Sequence, residues 1–400
     1  MHILIISDDF KTGKVTGSNI RLCKLLKYIK NHQFTIFTVD GNCWTDKLFE
    51  NIKIVYVQNR IYGFVHKWIA CKKNIFQKVI WKLLTLPQST DYLWIHSVFK
   101  YIDTDPVKYD LILLQVPSLL NIFYGIMLKQ KFKVPLVFDL RDDLINFKHL
   151  PGVFFMEKLM VKYADKVVCV TRGGVENLSR KYPVFGNKIC FIPNGYDEED
   201  IPQLMRGTVA PSFSKKRLVY AGSIYKSRLL MFDFIFHQLH QLFQMNADFR
   251  EKLLVIFYTD NKKINSLIHK YHLSCCVQVK SPIISTVDYF RELQTADYLI
   301  SVNANTPFSI PGKLYEYLAV NSNVIHIDNH GIVNEVLQYF SESYIVNISQ
   351  QNDLKTVLRN IAVLDKSIEM RPKLPIEFSS LYSRKNIAQN YSNVLNKLIQ

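Results

Sequence analysis

The chain has 400 residues, of which 48% are hydrophobic, a share typical of folded globular proteins and too high for a disordered polymer. This length exceeds what one hydrophobic core usually supports, so we expect two domains. The net charge of +16 favours a phosphorylated substrate, an anionic lipid or a nucleic acid as partner. No zinc-finger, helix-turn-helix or RNA-binding aromatic pattern accompanies that charge, so we do not expect a nucleic-acid partner.

The apolar runs and the cysteines predict a cytoplasmic protein. Residues 1–6 are apolar but reach polar residues too soon for a signal peptide, and they fit a buried first strand. No later run approaches the roughly 20 apolar residues that a membrane-spanning helix needs. The seven cysteines form no CxxC pair and no Cys/His cluster, which indicates a reducing compartment and no zinc site.

Short apolar runs alternate with helical patterns along the whole chain. The predicted strands are residues 2–7, 33–39, 53–57, 111–115, 136–139 and 166–170, and then 217–220, 253–258, 277–279, 298–302, 324–327 and 344–347. Buried strands joined by helices predict parallel sheets covered on both faces, and therefore an α/β fold with two doubly wound domains. Residues 196–216, polar and proline-containing, predict the linker. Nucleotides bind outside the carboxyl ends of such strands, so we expect the site in a cleft between the domains.

The most informative motif lies in residues 305–319, directly after a predicted strand. Ser309 can cap a helix there, and Pro311 suits its first turn. A helix start presents unpaired backbone N–H groups and the positive end of its dipole, which together favour a diphosphate. Lys313 adds a positive charge, and Glu316 places a carboxylate where a ribose could offer two hydroxyls. The same residues also fit an ordinary capped helix with a solvated Lys and Glu, so the motif alone leaves both interpretations open.

In its context, the sequence PGKLYEYLA at residues 311–319 resembles the donor-binding helix of GT-B glycosyltransferases of family 4, also called group 1. The resemblance implies two Rossmann-like domains facing across a cleft, with Glu316 on the ribose of the donor. The residues expected at the diphosphate are Ser309, Pro311, Gly312 and Lys313. Many members carry a second glutamate eight residues before the first, where this chain has Phe308. That departure opens the alternative of weakened or lost catalysis.

Two further segments resemble the same family. Residues 188–197 look like the strand and Asn-Gly-x-Asp turn that closes the first domain, although Asn-Gly is a turn signal in any protein. Residues 218–228 resemble the first strand and loop of the second domain, with Gly222 in the loop and Lys226 and Arg228 against the donor phosphates. Solvated surface positions are an equally good interpretation of these two basic residues.

Residues of the first half provide the candidate catalytic groups. Asp139, Arg141 and Asp142 resemble an Asp-x-Arg-Asp element that lies near the cleft in some relatives. Arg141 could orient phosphate or acceptor and the aspartates could orient a hydroxyl, or the three could form a local ion pair at a strand end. Gly17 lies in residues 11–19, where the family has a glycine-rich loop; this loop is not a dinucleotide-binding GxGxxG.

We expect no catalytic metal and no cofactor, the nucleotide diphosphate sugar being a substrate. Asp103 and Asp105 have the Asp-x-Asp spacing of metal-dependent glycosyltransferases of another fold, but they precede a strand in a polar turn, and we interpret the match as chance. In GT-B enzymes a helix dipole and basic residues generally stabilise the leaving diphosphate.

The resemblance implies retaining transfer of a hexose-type sugar to a saccharide or lipid-linked acceptor in surface-polysaccharide or glycoconjugate biosynthesis. We expect an acceptor-side domain at residues 1–200, a nucleotide-sugar-binding domain at 201–378, and a last helix at 379–400 that crosses back to the first domain. The alternatives are a non-hydrolysing sugar-nucleotide epimerase, which needs clear acid and base residues, and a non-catalytic sugar-nucleotide-binding partner subunit, which the Phe308 departure favours.

One predicted helix suggests where a membrane would bind. Residues 64–84 carry aromatic and aliphatic side chains at helical spacing, with Lys67, Lys78 and Lys82 on the opposite or flanking face. Such a helix could lie in an anionic membrane interface at the inner face of the membrane, or pack on its own sheet with a solvated lysine face.

Overall fold

The computed structural model describes most of the chain. The described residues are 1–7, 20–38, 50–57, 90–116, 119–148, 152–201, 214–224, 226–283, 285–303, 306–328, 332–350, 353–363 and 374–400. The loop 11–19 with Gly17 and the predicted helix 64–84 lie outside these ranges. Within them, no helix is long and apolar enough to cross a membrane.

The contacts within the chain divide it into two compact units. The first unit is Met1–Asn194 together with Arg384–Gln400, and the second is Gly195–Ser383. The sequence analysis predicted these boundaries after residues 200 and 378. The residues after Asn194 join the second unit because the Tyr196 ring stacks on Phe378, with centroids 5.6 Å apart, and the Tyr196 N–H donates to Tyr382 O at 3.1 Å.

The first unit is built on a seven-stranded parallel sheet. Its strands are β1 (His2–Ile6), β2 (Gln33–Thr38), β3 (Ile52–Tyr56), β4 (Leu111–Val116), β5 (Leu136–Leu140), β6 (Lys166–Cys169) and β7 (Ile189–Phe191), in the spatial order β3-β2-β1-β4-β5-β6-β7. Its helices are α1 (Ile20–Tyr28), α2 (Thr90–Thr104), α3 (Leu119–Phe132), α4 (Val153–Tyr163), α5 (Arg172–Lys181) and, from the chain end, α14 (Arg384–Asn396). The six strands predicted in this half are confirmed.

Helices cover both faces of this sheet, since alternate strand residues are apolar on both sides. Leu4 and Ile6 of β1 lie in the core cluster with α2, α3 and α4, whereas Ile3 and Ile5 lie in the cluster with α1 and α14. The last helix of the chain is therefore part of the first unit, packed directly against α1.

The second unit repeats the plan with six parallel strands. They are β8 (Lys216–Ala221), β9 (Leu253–Tyr258), β10 (Val277–Lys280), β11 (Tyr298–Val302), β12 (Asn323–Asp328) and β13 (Tyr344–Asn347), in the order β10-β9-β8-β11-β12-β13. Its helices are α6 (Lys226–Met245), α7 (Phe249–Lys252), α8 (Lys263–Lys270), α9 (Thr286–Gln294), α10 (Gly312–Ala319), α11 (Asn334–Leu337), α12 (Asp353–Val363) and α13 (Ile376–Tyr382). Helices α9, α10 and α13 share one face with alternate residues of β8 and β11. Both halves are doubly wound α/β units, as the sequence predicted.

Candidate functional site

The start of α10 lies just beyond the carboxyl end of β11, as expected for a ligand-binding helix. The helix begins at Gly312, its N-cap is Pro311, and no side chain caps it. The expectation that Ser309 caps this helix is therefore wrong. The proline lacks an N–H, and helix geometry leaves the first N–H groups, those of Gly312 and Lys313, without an acceptor inside the helix.

A buried asparagine, which the sequence analysis missed, shapes the loop between β11 and α10. Asn303 is 5% exposed, and its Nδ2 donates to Thr306 O at 3.2 Å and to Ser309 O at 3.1 Å. The Thr306 hydroxyl donates back to Asn303 Oδ1. Ser309 thus contributes its backbone to a hydrogen-bonded turn, which fixes the direction in which the chain enters α10.

Lys313 connects α10 to the loop after β8. Its Nζ donates to Ala221 O at 2.6 Å, and a Cβ on Gly222 would lie 3.6 Å from Lys313 Cδ. Although Lys313 as a residue is exposed, the protein atoms around its ammonium group lower its pKa by desolvation, and the nearby charge of Arg228 lowers it further. Two cationic groups from sequence-distant motifs therefore lie close together in the second unit.

Two tyrosines and an arginine hold this loop. The Tyr317 hydroxyl donates to Ala221 O at 3.2 Å and accepts from Ala221 N at 3.1 Å. Arg228 Nη1 donates to Ser223 O at 2.9 Å and to the Tyr220 hydroxyl at 3.3 Å, and that hydroxyl donates to Ser223 O at 2.9 Å. The Cβ of any residue larger than glycine at position 222 would meet the Tyr220 hydroxyl at 3.0 Å, so this close approach favours Gly222.

Glu316 lies one turn into α10, where a tyrosine from α9 holds it. The Tyr289 hydroxyl donates to Glu316 Oε2 at 2.8 Å, and Lys313 Nζ lies 5.3 Å from the centre of the Tyr289 ring. Burial and the neighbouring Glu316 carboxylate raise the pKa of Tyr289, which keeps the phenol protonated as a donor. One carboxylate, two cationic side chains and the N-terminus of α10 therefore lie together near the carboxyl ends of β8 and β11. Such an arrangement can bind a phosphate together with a hydroxyl-bearing group.

In the first unit, Asp139 is part of a buried ion pair at the end of β5. Arg21 Nε lies 3.0 Å from Asp139 Oδ2, and the two side chains are 3% and 1% exposed. The same guanidinium donates to Ile192 O at 2.9 Å and to Pro193 O. Arg21, which the sequence analysis did not single out, thus ties α1 to β5 and to the chain that leaves β7.

Arg141 and Asp142 follow in the turn after β5 and are half-buried. The Arg141 N–H donates to Val116 O at 3.1 Å, and its buried Nε has no hydrogen-bond acceptor within the described ranges. The next residue, Asp143, accepts from Ile145 N at 3.0 Å and from Asn177 Nδ2 at 3.1 Å, and burial raises its pKa. In this turn the Asp143 carboxylate is held by two hydrogen bonds, whereas the N–H of Arg141 Nε could still donate to a ligand.

The remaining predicted site residues are Gly17, which is outside the described residues, and Lys226, the first residue of α6. In the part of the chain that the structure covers, no three His, Cys, Asp or Glu side chains converge as a metal site would require. Asp103 pairs with Lys131, and Asp105 accepts from the Tyr109 hydroxyl at 3.2 Å. The absence of a catalytic metal stays a prediction.

Comparison with known proteins identifies the fold. No protein-family model and no curated protein sequence matches the chain. Among solved structures, sucrose-phosphate synthase from Thermosynechococcus elongatus matches with a TM-score of 0.68 at 15% identity, covering 99% of this chain and 98% of that one. Anabaena HepE in complex with UDP and glucose matches with a TM-score of 0.65 at 12% identity, and the lipopolysaccharide outer core galactosyltransferase WaaB gives the same two values; each match covers 100% of both chains. These likenesses show a GT-B fold with two Rossmann-like domains, as predicted.

Proposed function

We propose that the chain is a glycosyltransferase of family 4 that transfers a hexose-type sugar from a nucleotide diphosphate donor with retention of configuration. The observation that carries the proposal is the contact between Lys313 Nζ and Ala221 O, 2.6 Å apart across 92 positions of the sequence. It joins two motifs that each resemble part of a donor site. The solved structures support the same function, since HepE was determined with UDP and glucose and WaaB is a galactosyltransferase.

In this proposal the second unit binds the donor. Glu316, held by Tyr289, accepts hydrogen bonds from the ribose hydroxyls. The N–H groups at the start of α10, with Lys313 and Arg228, bind the diphosphate, and Ser309, Pro311, Gly312, Gly222 and Lys226 shape its surroundings. As the glycosidic bond breaks, negative charge grows on the leaving diphosphate, and fixed donors lower the barrier because they need no reorganisation. No metal and no further cofactor takes part.

The first unit then provides the acceptor side. Arg141, whose buried Nε has no hydrogen-bond acceptor among the described residues, and Asp142 orient the acceptor hydroxyl. Asp139 acts through Arg21, because its carboxylate already accepts from Arg21 Nε and is 1% exposed. The acceptor is a saccharide or a lipid-linked saccharide of surface-polysaccharide or glycoconjugate assembly, and the protein works in the cytoplasm at the inner face of the membrane.

Phe308 supports a second candidate, a non-catalytic sugar-nucleotide-binding subunit. It occupies the position where many members of the resembled family carry the glutamate that contacts the donor sugar, and it is half-buried in the loop before α10. An apolar ring there offers the sugar hydroxyls no hydrogen-bond acceptor.

A thermal-shift screen of nucleotide diphosphate sugars, followed by an assay of donor hydrolysis and transfer, tests the proposal. We expect one nucleotide to raise Tm in the parent protein, and the same concentration of it to raise Tm less in Glu316→Ala. Turnover by the parent would exclude the non-catalytic candidate, whereas turnover only in Phe308→Glu would favour it. Absence of any nucleotide-dependent shift, with a folded parent, would contradict both candidates.

A further inference from the structure

Large apolar side chains are exposed on the outer face of two neighbouring helices of the first unit. Phe123 and Met127 of α3 are 50% and 41% exposed, and Phe154 and Phe155 of α4 are 47% and 64% exposed. We refer to these four residues as the aromatic face. Single exposed apolar residues are common, but several on adjacent helices indicate a binding surface.

The topology places the three phenylalanines at the same end of the sheet. α3 follows β4 and α4 follows β5, and the two strands are parallel neighbours, so both helices begin near the carboxyl edge of the sheet. Phe123 is in the second turn of α3, and Phe154 and Phe155 are in the first turn of α4. Since α3 packs against α4, their outward surfaces form one face.

The inner sides of the two helices fix this orientation. Gly125 of α3 lies so close to the sheet that a Cβ there would be 2.7 Å from Leu114 Cδ1 and 3.0 Å from Phe138 Cζ. Met160 and Val161 of α4 are fully buried in the same core. Rotating either helix to bury its phenylalanines would expose these core residues, so the aromatic face is a stable property of the fold.

The exposed charged side chains of α4 are positive. Lys158 and Lys162 of α4 are exposed on the same side as Phe155, at helical spacing. The one acidic residue of α4, Glu157, is 1% exposed and accepts from Lys181 and from the Tyr182 hydroxyl. Lys181 Nζ in turn lies 4.2 Å from the centre of the Phe154 ring. The exposed rings of α4 are therefore flanked by ammonium groups, of which that of Lys181 is paired with the buried Glu157, and α4 has no exposed carboxylate.

We propose that the aromatic face is a docking surface for an anionic lipid bilayer. Phenylalanine rings enter the interface between headgroups and acyl chains, where burial of their apolar surface favours binding. The flanking lysines contact anionic headgroups, and this attraction between opposite charges favours binding further. Because the exposed lysines of α4 are positive, an anionic bilayer fits this surface better than a neutral apolar partner does. Docking through this face brings the carboxyl edge of the first unit's sheet toward the membrane surface. This deepens the proposed function, on which the proposal rests for the lipid-linked acceptor.

Cosedimentation with vesicles of phosphatidylglycerol and phosphatidylcholine tests the docking surface. The double variant Phe123→Ser/Phe155→Ser removes one exposed ring from each helix, and we expect its partition coefficient to fall by at least about tenfold, since a buried Phe side chain is worth more than a tenfold factor. Leu230→Ser is the matched control, because Leu230 is 69% exposed on α6 of the second unit, and we expect parental binding. Lys158→Gln/Lys162→Gln should weaken binding and reduce its dependence on salt.

The proposal would be overturned by parental binding of the Phe double variant, by no binding of the parent to anionic vesicles, or by a loss of binding that Leu230→Ser shares. A change of the variant's mass in solution, without a change in vesicle binding, would assign the face to a protein contact and equally overturn it. Vesicle binding needs no donor, so nucleotide titration of the same variants separates failure of this proposal from failure of the proposed function.

Discussion

Arg21 and Asp139 form an ion pair in the interior of the first unit, 118 positions apart in sequence, with Arg21 Nε 3.0 Å from Asp139 Oδ2. Removing one partner leaves the other charge buried, which typically costs about 3–5 kcal/mol of unfolding free energy. We expect Asp139→Asn to lower stability toward that range, measured by chemical denaturation. Arg180→Met, which alters an exposed arginine of α5, is the control and should change stability by less than about 0.5 kcal/mol.

The same variant separates positioning from catalysis. If Asp139→Asn leaves stability unchanged while transfer disappears, Asp139 touches the reacting groups and its role through Arg21 is wrong.

Glu316 is predicted to bind the ribose of the donor, and Tyr289 to hold it. Loss of a charged hydrogen-bond partner should make Glu316→Ala weaken nucleotide binding by about 1–3 kcal/mol with little change in Tm. Tyr289→Phe removes only the bond to Glu316 Oε2 and should weaken binding less. Calorimetric titration with the best nucleotide measures both; parental affinity of Glu316→Ala would remove this residue from the site.

The strands were predictable because each is a short apolar run that repeats between helical patterns. β8 and β11, for example, lie at the predicted positions to within one residue at each end. The motif at residues 311–319 likewise predicted α10, because a proline and a following amphipathic run define a helix start. Local chemistry misled us at Ser309, whose backbone is bound by Asn303 while Pro311 forms the cap.

Contacts across long stretches of sequence were not predictable. Arg21 is one more arginine in a helical pattern, and nothing in the sequence shows that the fold brings it to Asp139 and to Ile192 O. The same holds for Tyr289 and Glu316, which belong to different helices. Hydrophobic periodicity specifies which side of an element is buried, but a single polar pair depends on the register and tilt of both elements.

His326 is the centre of a buried polar chain in the second unit. It is fully buried, with Nδ1 3.0 Å from Ser301 Oγ and Nε2 3.2 Å from Asp328 Oδ2. A carboxylate accepts, so Nε2 donates to Asp328, and the Ser301 hydroxyl is hydrogen-bonded to Nδ1. His326→Leu removes both bonds and should cost about 3 kcal/mol or more, whereas Ser301→Ala should cost about 1 kcal/mol. Chemical denaturation compares them, and a His326→Leu variant as stable as Ser301→Ala would show that the bond to Asp328 contributes little.

Lys313 should make nucleotide binding depend on pH in the alkaline range. Desolvation and the charge of Arg228 lower its pKa below the ordinary lysine value of 10.5, against the opposing effect of Glu316. In the proposed donor site, the ammonium is charged below this lowered pKa and binds the diphosphate. As pH rises through that pKa, the free protein loses the proton and the affinity should fall. Since the bound diphosphate favours the charged form, binding in this range takes up a proton.

Calorimetric titration between about pH 7 and about pH 10, in buffers of different ionisation enthalpy, measures the affinity and the proton uptake together. Lys313→Arg keeps the charge at every pH, so its affinity should stay flat where that of the parent declines. Lys313→Met should bind the nucleotide more weakly than the parent at every pH. Its binding should also lack the proton uptake that position 313 causes in the parent. A decline with the same midpoint in the parent and in Lys313→Arg would assign the titration to another group and take Lys313 out of the diphosphate site.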